Sequence, residues 1–482
     1  MNVTKRIQYS PDILAFFWQS FRLFFPAFLL GTYFSLAAFS QNSEAIQPYP
    51  ENPRYWQYEG KPVLLLGGSV EDNLFQIPDL EEHLNLLASV GGNYIRNTMS
   101  ARDSGNVMPF ARVGDTYDLD TWNEEYWNRF DRLLRLCQAR DIIVQIELWA
   151  TWDIFYERWR TSPWNPANNK NYTFENTRLK GDYGGRDVKP YLAGTMHDFF
   201  LSVPHLSNDQ KLLAYQQKFV DKLLSYSLNY NNILYCMTNE IFVQFSPEWG
   251  WYWSKYIKKQ ARQQNTVAYT TEMYQFPVIK AEQHLASLDH PEIYDFVDIS
   301  QNAGRYGYDE NHWDNLRYAF HRTADHPRPI NHVKTYGNKK RGIADVREKY
   351  LRSIVGGAAS IRFHRPESGL GLNEEAQSTI RMVRKIEEYI KMWDVKSCMD
   401  LLSERESDEA YLAANPGEQY FLYFTDGGSI RLDMSNAEGT FLLKWMNVER
   451  DDWDYDLVIP AEESKKLSAP GRGGWIAVLV KQ

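Results

Sequence analysis

At 482 residues, with 43% hydrophobic and 24% charged side chains, the chain has room for one large domain plus a smaller one and ample material for a core. A formal net charge of −9 without a long Lys/Arg run excludes a nucleic-acid partner, because neutralising a phosphate backbone requires a basic face. Lys258-Lys259 and Lys339-Lys340-Arg341 read as solvated surface.

The N-terminus reads as an address. Lys5 and Arg6 precede an apolar stretch whose uninterrupted part, Phe24 to Phe39, ends in Ala38-Phe39-Ser40 before the polar Gln41-Asn42-Ser43-Glu44. Small residues at the junction fit signal-peptidase cleavage after Ser40, so residues 1–40 are expected to be a signal peptide and the mature protein to be exported, periplasmic or extracellular. The run is short for a membrane span, and none is expected to remain after cleavage; a retained signal anchor is the alternative.

From Lys61 onward strand-like and helix-like patterns alternate. Strands are predicted at Pro62–Gly67, Tyr94–Thr98, Ile142–Leu148, Ile233–Thr238, Val267–Thr271, Phe296–Ser300, Pro329–Lys334 and Ala359–His364, with helical patterns such as Leu80–Ser89, Trp122–Arg140 and Gln210–Leu228 between them. Eight such alternations over residues 41–397 predict a (β/α)8 TIM barrel. An open doubly wound sheet is disfavoured, since Gly-Gly-Ser-Val-Glu-Asp rather than Gly-x-Gly-x-x-Gly follows the first strand. The long aromatic stretch Thr151–His205 is expected to shape the mouth of the barrel. After Glu374–Trp393 come short runs separated by Asn-Pro-Gly, Asp-Gly-Gly and Gly-Arg-Gly-Gly, which predict a small antiparallel, sandwich-like β-domain over residues 398–482.

Barrel enzymes carry their chemistry at the C-terminal strand ends. Here those ends offer Glu71 and Asp72, Arg96 and Asn97, Glu147 and Trp149, Asn239 and Glu240, Glu272, Gln301 and Asn302, Lys334 and Tyr336, then Arg362 and His364. A ring of polar residues ending otherwise apolar segments is hard to explain by packing alone. The 16 Trp and 31 Tyr exceed what a core needs, and some are expected to line a cleft where flat ligands such as sugar rings stack. The three cysteines, Cys137, Cys236 and Cys398, lack Cys-x-x-Cys spacing and read as buried thiols; with ten scattered histidines and no His-Glu-x-x-His, neither a metal nor a cofactor is expected.

Asn52-Pro-Arg-Tyr-Trp56 with Lys61-Pro-Val-Leu-Leu-Leu-Gly67, Thr238-Asn239-Glu240, Gly427-Gly428 and Trp475-Ile-Ala-Val-Leu-Val480 resemble bacterial apiosidase-like barrels of the clan-A glycoside hydrolases, which carry a C-terminal domain labelled collagen-binding. The resemblance spans nearly the whole mature chain. It implies a glycosidase acting on a plant- or algal-type carbohydrate by retention, with Glu240 as acid/base, Asn239 positioning a sugar hydroxyl, and a glutamate ending strand 7 as nucleophile. This sequence departs at that last point: strand 7 reads Arg328-Pro-Ile-Asn-His-Val-Lys-Thr-Tyr336, with Lys334 where the nucleophile would stand and no carboxylate before Asp345.

Three readings remain open. Glu272, then Glu147, can supply the second carboxylate, because both end strands adjacent to that of Glu240. Lys334, Tyr336, His332, Arg362 and His364 can instead serve a lyase acting on a uronate. Or the barrel binds a glycan without turnover. If Glu240 is an acid at neutral pH, burial must raise its pKa. The basic residues Arg96, Arg305, Lys334 and Arg362 suggest an anionic sugar, unless each pairs with a carboxylate such as Asp72 or Glu147. His332 and Lys334, two apart, are expected to face the same side of strand 7.

Overall fold

The computed structural model describes residues 44–155, 157–183, 197–241, 246–276, 278–300, 312–337 and 345–482. The signal-peptide expectation, Asn302, Arg305 and the Lys339 cluster lie outside these residues. Where apolar runs rich in Ile, Leu, Val and Tyr are buried on both faces, they form parallel strands: β1 (Leu65–Gly68), β2 (Tyr94–Thr98), β3 (Ile143–Ala150), β4 (Ile233–Asn239), β5 (Tyr269–Thr271), β6 (Val297–Asp298), β7 (Ile330–Thr335) and β8 (Ser360–Phe363). Each is followed by a helix: α1 (Leu80–Ser89), α2 (Glu124–Gln138), α3 (Gln210–Ser227), α4 (Glu248–Gln263), α5 (Glu282–Leu288), α6 (His312–Arg322), α7 (Val346–Val355) and α8 (Glu374–Glu387). The strands pair in the order β5-β4-β3-β2-β1-β8-β7-β6. Asp295 N donates to Thr270 O at 2.9 Å, tying the two end strands together and nearly closing the predicted barrel.

Alternation along β3 explains how the interior is built. Val144, Ile146 and Leu148 join the large core shared with the helices, whereas Ile143 joins Leu65, Tyr94, Leu234, Cys236, Val333 and Ala359 in a separate cluster closed by Trp56. Trp56 comes from a small antiparallel sheet formed by Gln47–Pro48, Trp56–Tyr58 and Lys61–Val63, so Pro62 and Val63, predicted as barrel strand, belong to this sheet instead. Further along β3, Gln145 accepts from Tyr94 Oη at 2.6 Å and donates to Asp298 at 3.0 Å. Beyond it again, Glu147 meets Arg96 at 3.0 Å. The interior thus passes from apolar to hydrogen-bonded to ionic toward the C-terminal strand ends.

The C-terminal strands are β9 (Lys396–Ser397), β10 (Leu402–Ser403), β11 (Ala410–Asn415), β12 (Gln419–Phe424), β13 (Ser429–Asp433), β14 (Thr440–Asn447), β15 (Asp452–Pro460), β16 (Ser464–Ser468) and β17 (Trp475–Lys481). They form a six-stranded antiparallel sheet, β9-β11-β12-β17-β14-β15, and a three-stranded one, β10-β13-β16. Leu412, Leu422, Phe424, Leu432, Trp445 and Leu479 fill one core, while Tyr411, Phe421, Tyr423, Ile476 and Val478 on alternate positions join the core of the barrel. Arg347 of α7 reaches across to donate to Val448 O. All three cysteines are buried free thiols, and among the described residues no helix is long and apolar enough to cross a membrane.

Candidate active site

Glu240 follows directly on β4 with φ of 61°, a left-handed conformation that non-glycine residues adopt only when the surroundings hold it. Its Oε1 accepts from Lys334 Nζ at 2.7 Å and from Tyr336 Oη at 3.2 Å, and its Oε2 accepts from Trp152 Nε1 at 2.7 Å. Lys334 Nζ also donates to Asn239 Oδ1 at 2.6 Å. These three partners of Glu240 come from the end of β7 and the turn Thr151–Ile154 that follows β3, and Lys334 is held in turn by Asn239 at the end of β4, so three strand ends meet at one carboxylate. Burial pushes the Glu240 carboxyl up, but the Lys334 ammonium, the bonds from Lys334 and Trp152 and the nearby Arg96 outweigh it and bring the pKa down to about 2. This corrects the expectation of a raised pKa: before ligand arrives, Glu240 is an anion. Burial in turn lowers Lys334 below the ordinary lysine value, with Glu240 opposing.

The cavity above Glu240 encloses about 300 Å³ and is lined also by Asp72, Arg102, Asp103, Arg158, Gln275, His364 and Arg365. Asp72 binds Arg102 at 2.6 Å and Arg96 at 3.2 Å, and His364 Nδ1 lies 3.8 Å from it. Burial would raise the Asp72 carboxyl, yet Arg96, His364, Arg102 and Lys334 hold it well below the usual carboxylate range. Burial lowers His364 well below the ordinary histidine value, with Asp72 opposing, and the ring packs edge-on against Tyr336 with ring centres 4.5 Å apart. Among the side chains lining the cavity, the basic residues Arg102, Arg158, Lys334 and Arg365 outnumber the carboxylates Asp72, Asp103 and Glu240.

Of the residues predicted from sequence, Asp72, Asn239, Glu240, Lys334, Tyr336 and His364 share this cavity. Arg96, Glu147 and Arg362 lie beneath it. Arg96 bridges Asp72 and Glu147, Glu147 also accepts from Thr98 Oγ1 at 2.9 Å, and Arg362 is consumed by Val333 O and Ser69 Oγ. Glu147 and Arg362 are therefore a charged floor rather than parts of the lining.

Glu272 is a clearer correction. It accepts from Thr238 N at 2.8 Å and Met273 N at 2.9 Å, and its Oε2 would sit 2.6 Å from a side-chain carbon added at Gly250 on α4. The carboxyl thus faces the seam between the strands and α4, away from the cavity. Trp149, offered by the end of β3, does not line the Glu240 cavity: it is 3% exposed and packs among Trp164, Phe199, Phe219, Trp249 and Trp253. His332 departs from the parity expected with Lys334. It bonds Ser353 of α7 at 3.0 Å, because the β7–β8 register shifts between His332 and Thr335.

Sequence reasoning missed Arg102, Asp103, Trp152, Arg158, Gln275 and Arg365. All lie beyond strand ends, and the stretch from Thr151 was read as mouth-shaping without a residue being chosen from it. Among the described residues, no group of three His, Cys, Asp or Glu is placed to hold a metal ion.

No protein-family model matches the sequence, and no curated protein matches it by sequence. Solved structures of similar fold include a glycoside hydrolase family 5 protein from Bacteroides vulgatus, 12% identical with a TM-score of 0.62 over 91% of this chain and 94% of the other. A second glycoside hydrolase is 12% identical with a TM-score of 0.60 over 91% and 97% of the two chains. A maltogenic α-amylase from Thermotoga neapolitana is 12% identical with a TM-score of 0.50 over 87% and 99%. At these identities the likeness is one of fold: a (β/α)8 barrel with additional C-terminal β-sheets, shared with glycoside hydrolases.

Proposed function

We propose that the protein is an exported glycosidase of the clan-A type whose substrate is an acidic carbohydrate bound in the Glu240 cavity. The observation that carries this reading is the meeting, at the C-terminal mouth of a glycoside-hydrolase-like barrel, of Glu240 and Asp72 with Arg102, Arg158, Lys334 and Arg365. A uronate or sulfate there forms charge-assisted hydrogen bonds that a neutral sugar cannot. An anion that captures Lys334 takes from Glu240 the partner that keeps it ionised; burial then raises the carboxyl, which takes up a proton from solvent and gives it to the leaving glycosidic oxygen. Asp72, the other buried carboxylate lining the cavity, is the group left to take a proton from an attacking water.

The 2.7 Å pair between Lys334 and Glu240 favours a second reading, a barrel that binds acidic glycans without turnover. A screen of uronate-bearing and sulfated glycans against carboxyl-reduced or desulfated counterparts, with wild type and Glu240→Gln, separates the two. Hydrolysis of acidic glycans lost in Glu240→Gln supports the enzyme; binding without products supports the binder; unsaturated sugar products would move the chemistry to Tyr336 and His364 as a lyase. Equal response to charged and neutral forms would contradict the acidic substrate.

A further inference from the structure

A second cavity adjoins the first. Its walls include Met99, Met108, Leu148, Trp149, Ile154 and Trp164, and it shares Arg102 and Arg158 with the Glu240 cavity. The turn Thr151–Ile154 serves both: Trp152 lines the Glu240 cavity and bonds Glu240, while Asp153 and Ile154 line the second. Asp153 is held by Ser100 Oγ at 2.8 Å and Ala101 N at 3.1 Å, which fixes that turn against the end of β2.

The two spaces differ in chemical balance. The first is lined mostly by charged and amide side chains with Trp152, Tyr336 and His364; most residues round the second are apolar, with Arg102, Asp153, Arg158, Thr161 and Ser162 as its polar members. Its volume of about 130 Å³ is close to that of apolar cavities of roughly 150 Å³ that accept a benzene ring. A group entering it leaves water for an apolar surface, which favours a hydrocarbon or aromatic moiety over a second sugar with its many hydroxyls.

We propose that this cavity is a subsite for an apolar substituent, an aryl or acyl group, carried by the acidic sugar held beside Glu240, with Arg102 and Arg158 spanning the junction. The proposal rests on the acidic-sugar reading of the Glu240 cavity and adds the class of substituent to it. A substrate of this kind is an aryl glycoside or ester of an acidic sugar rather than an unsubstituted polysaccharide.

Calorimetric titration of the full chain with four probes, methyl and phenyl glucuronides and methyl and phenyl glucosides, reads charge and substituent independently. The phenyl glucuronide is expected to bind at least about tenfold more tightly than the methyl glucuronide. Met108→Trp fills the cavity from a half-buried wall and is expected to abolish that preference while leaving the methyl glucuronide within about twofold of wild type. Ala101→Leu, which fills the same space from an earlier point of the same connection, keeps the test open if Met108→Trp disturbs folding as judged by thermal unfolding. Equal binding of phenyl and methyl glucuronides, or equal weakening of both by either variant, would overturn the subsite while leaving the acidic-sugar reading intact. Glucuronides that bind no better than glucosides, or not at all, would remove that reading and the subsite with it.

Discussion

Glu240 and Glu272 end neighbouring strands, and both are largely removed from solvent, at 14% side-chain and 1% residue exposure respectively. Their environments push them in opposite directions. Glu240 faces Lys334, Tyr336 and Trp152 and falls to about 2. Glu272 has backbone and hydroxyl donors but no cationic partner among its principal influences, and burial pushes it well above the ordinary glutamate value. Burial alone therefore does not make a catalytic acid. A partner charge decides the sign, and the direction in which the side chain leaves the strand decides whether the carboxylate meets ligand at all.

The largest expected effect is from Lys334→Met. Removing the ammonium leaves Glu240 a buried anion that keeps the Trp152 and Tyr336 donors but has lost its cation, which is expected to lower stability by about 3 kcal/mol at pH 7 in denaturant titrations. The pH dependence should reverse in sign. In wild type the depressed Glu240 pKa contributes stability that is present above about 4.5 and lost as pH falls through about 2. In the variant, with a raised carboxyl, stability should instead improve on acidification from neutrality. Unchanged stability would show that the pair contributes nothing.

Gly250→Ala tests the other carboxylate. A Cβ there would lie 2.4 Å from Tyr294 Oη and 2.6 Å from Glu272 Oε2, so a loss of about 1–3 kcal/mol is expected from overpacking, with glycan binding at Glu240 unchanged. Glu272→Gln removes a group whose folded pKa is raised, and whose ionisation therefore costs stability as pH rises above its unfolded value. It should be neutral or stabilising at pH 7 and keep whatever activity the wild type has. Loss of activity with the fold intact would return Glu272 to the site. The smallest effect is assigned to Trp152→Phe, which deletes one donor to Glu240 Oε2 and should raise the Glu240 pKa from about 2 toward the ordinary glutamate value without reaching it.

Much of the fold was legible because a barrel repeats one local rule: Ile142 to Leu148 is continuously apolar apart from Gln145 and Glu147, and its neighbours follow the same pattern. Strand β15 was not legible, although Trp453, Tyr455 and Leu457 alternate with Asp452, Asp454 and Asp456, since aspartate is a poor strand former and the acidic run masks the period. In the site, the junction of Asn239 and Glu240 with Lys334 could be anticipated from strand ends. The outward turn of Glu272 could not: a side chain ending a strand can enter the mouth or the helix seam, and the choice here depends on Gly250, which lies on a helix 22 positions earlier. The register shift that separates His332 from Lys334 is likewise invisible to a period of two.

The most direct test of the central claim is a carboxyl NMR titration of Glu240, assigned by its disappearance in Glu240→Gln and recorded with and without an acidic sugar. The account predicts a pKa of about 2 in the free protein and an upward shift when a uronate captures Lys334. A free-protein value at or above the ordinary glutamate pKa, or no response to the uronate, would contradict it.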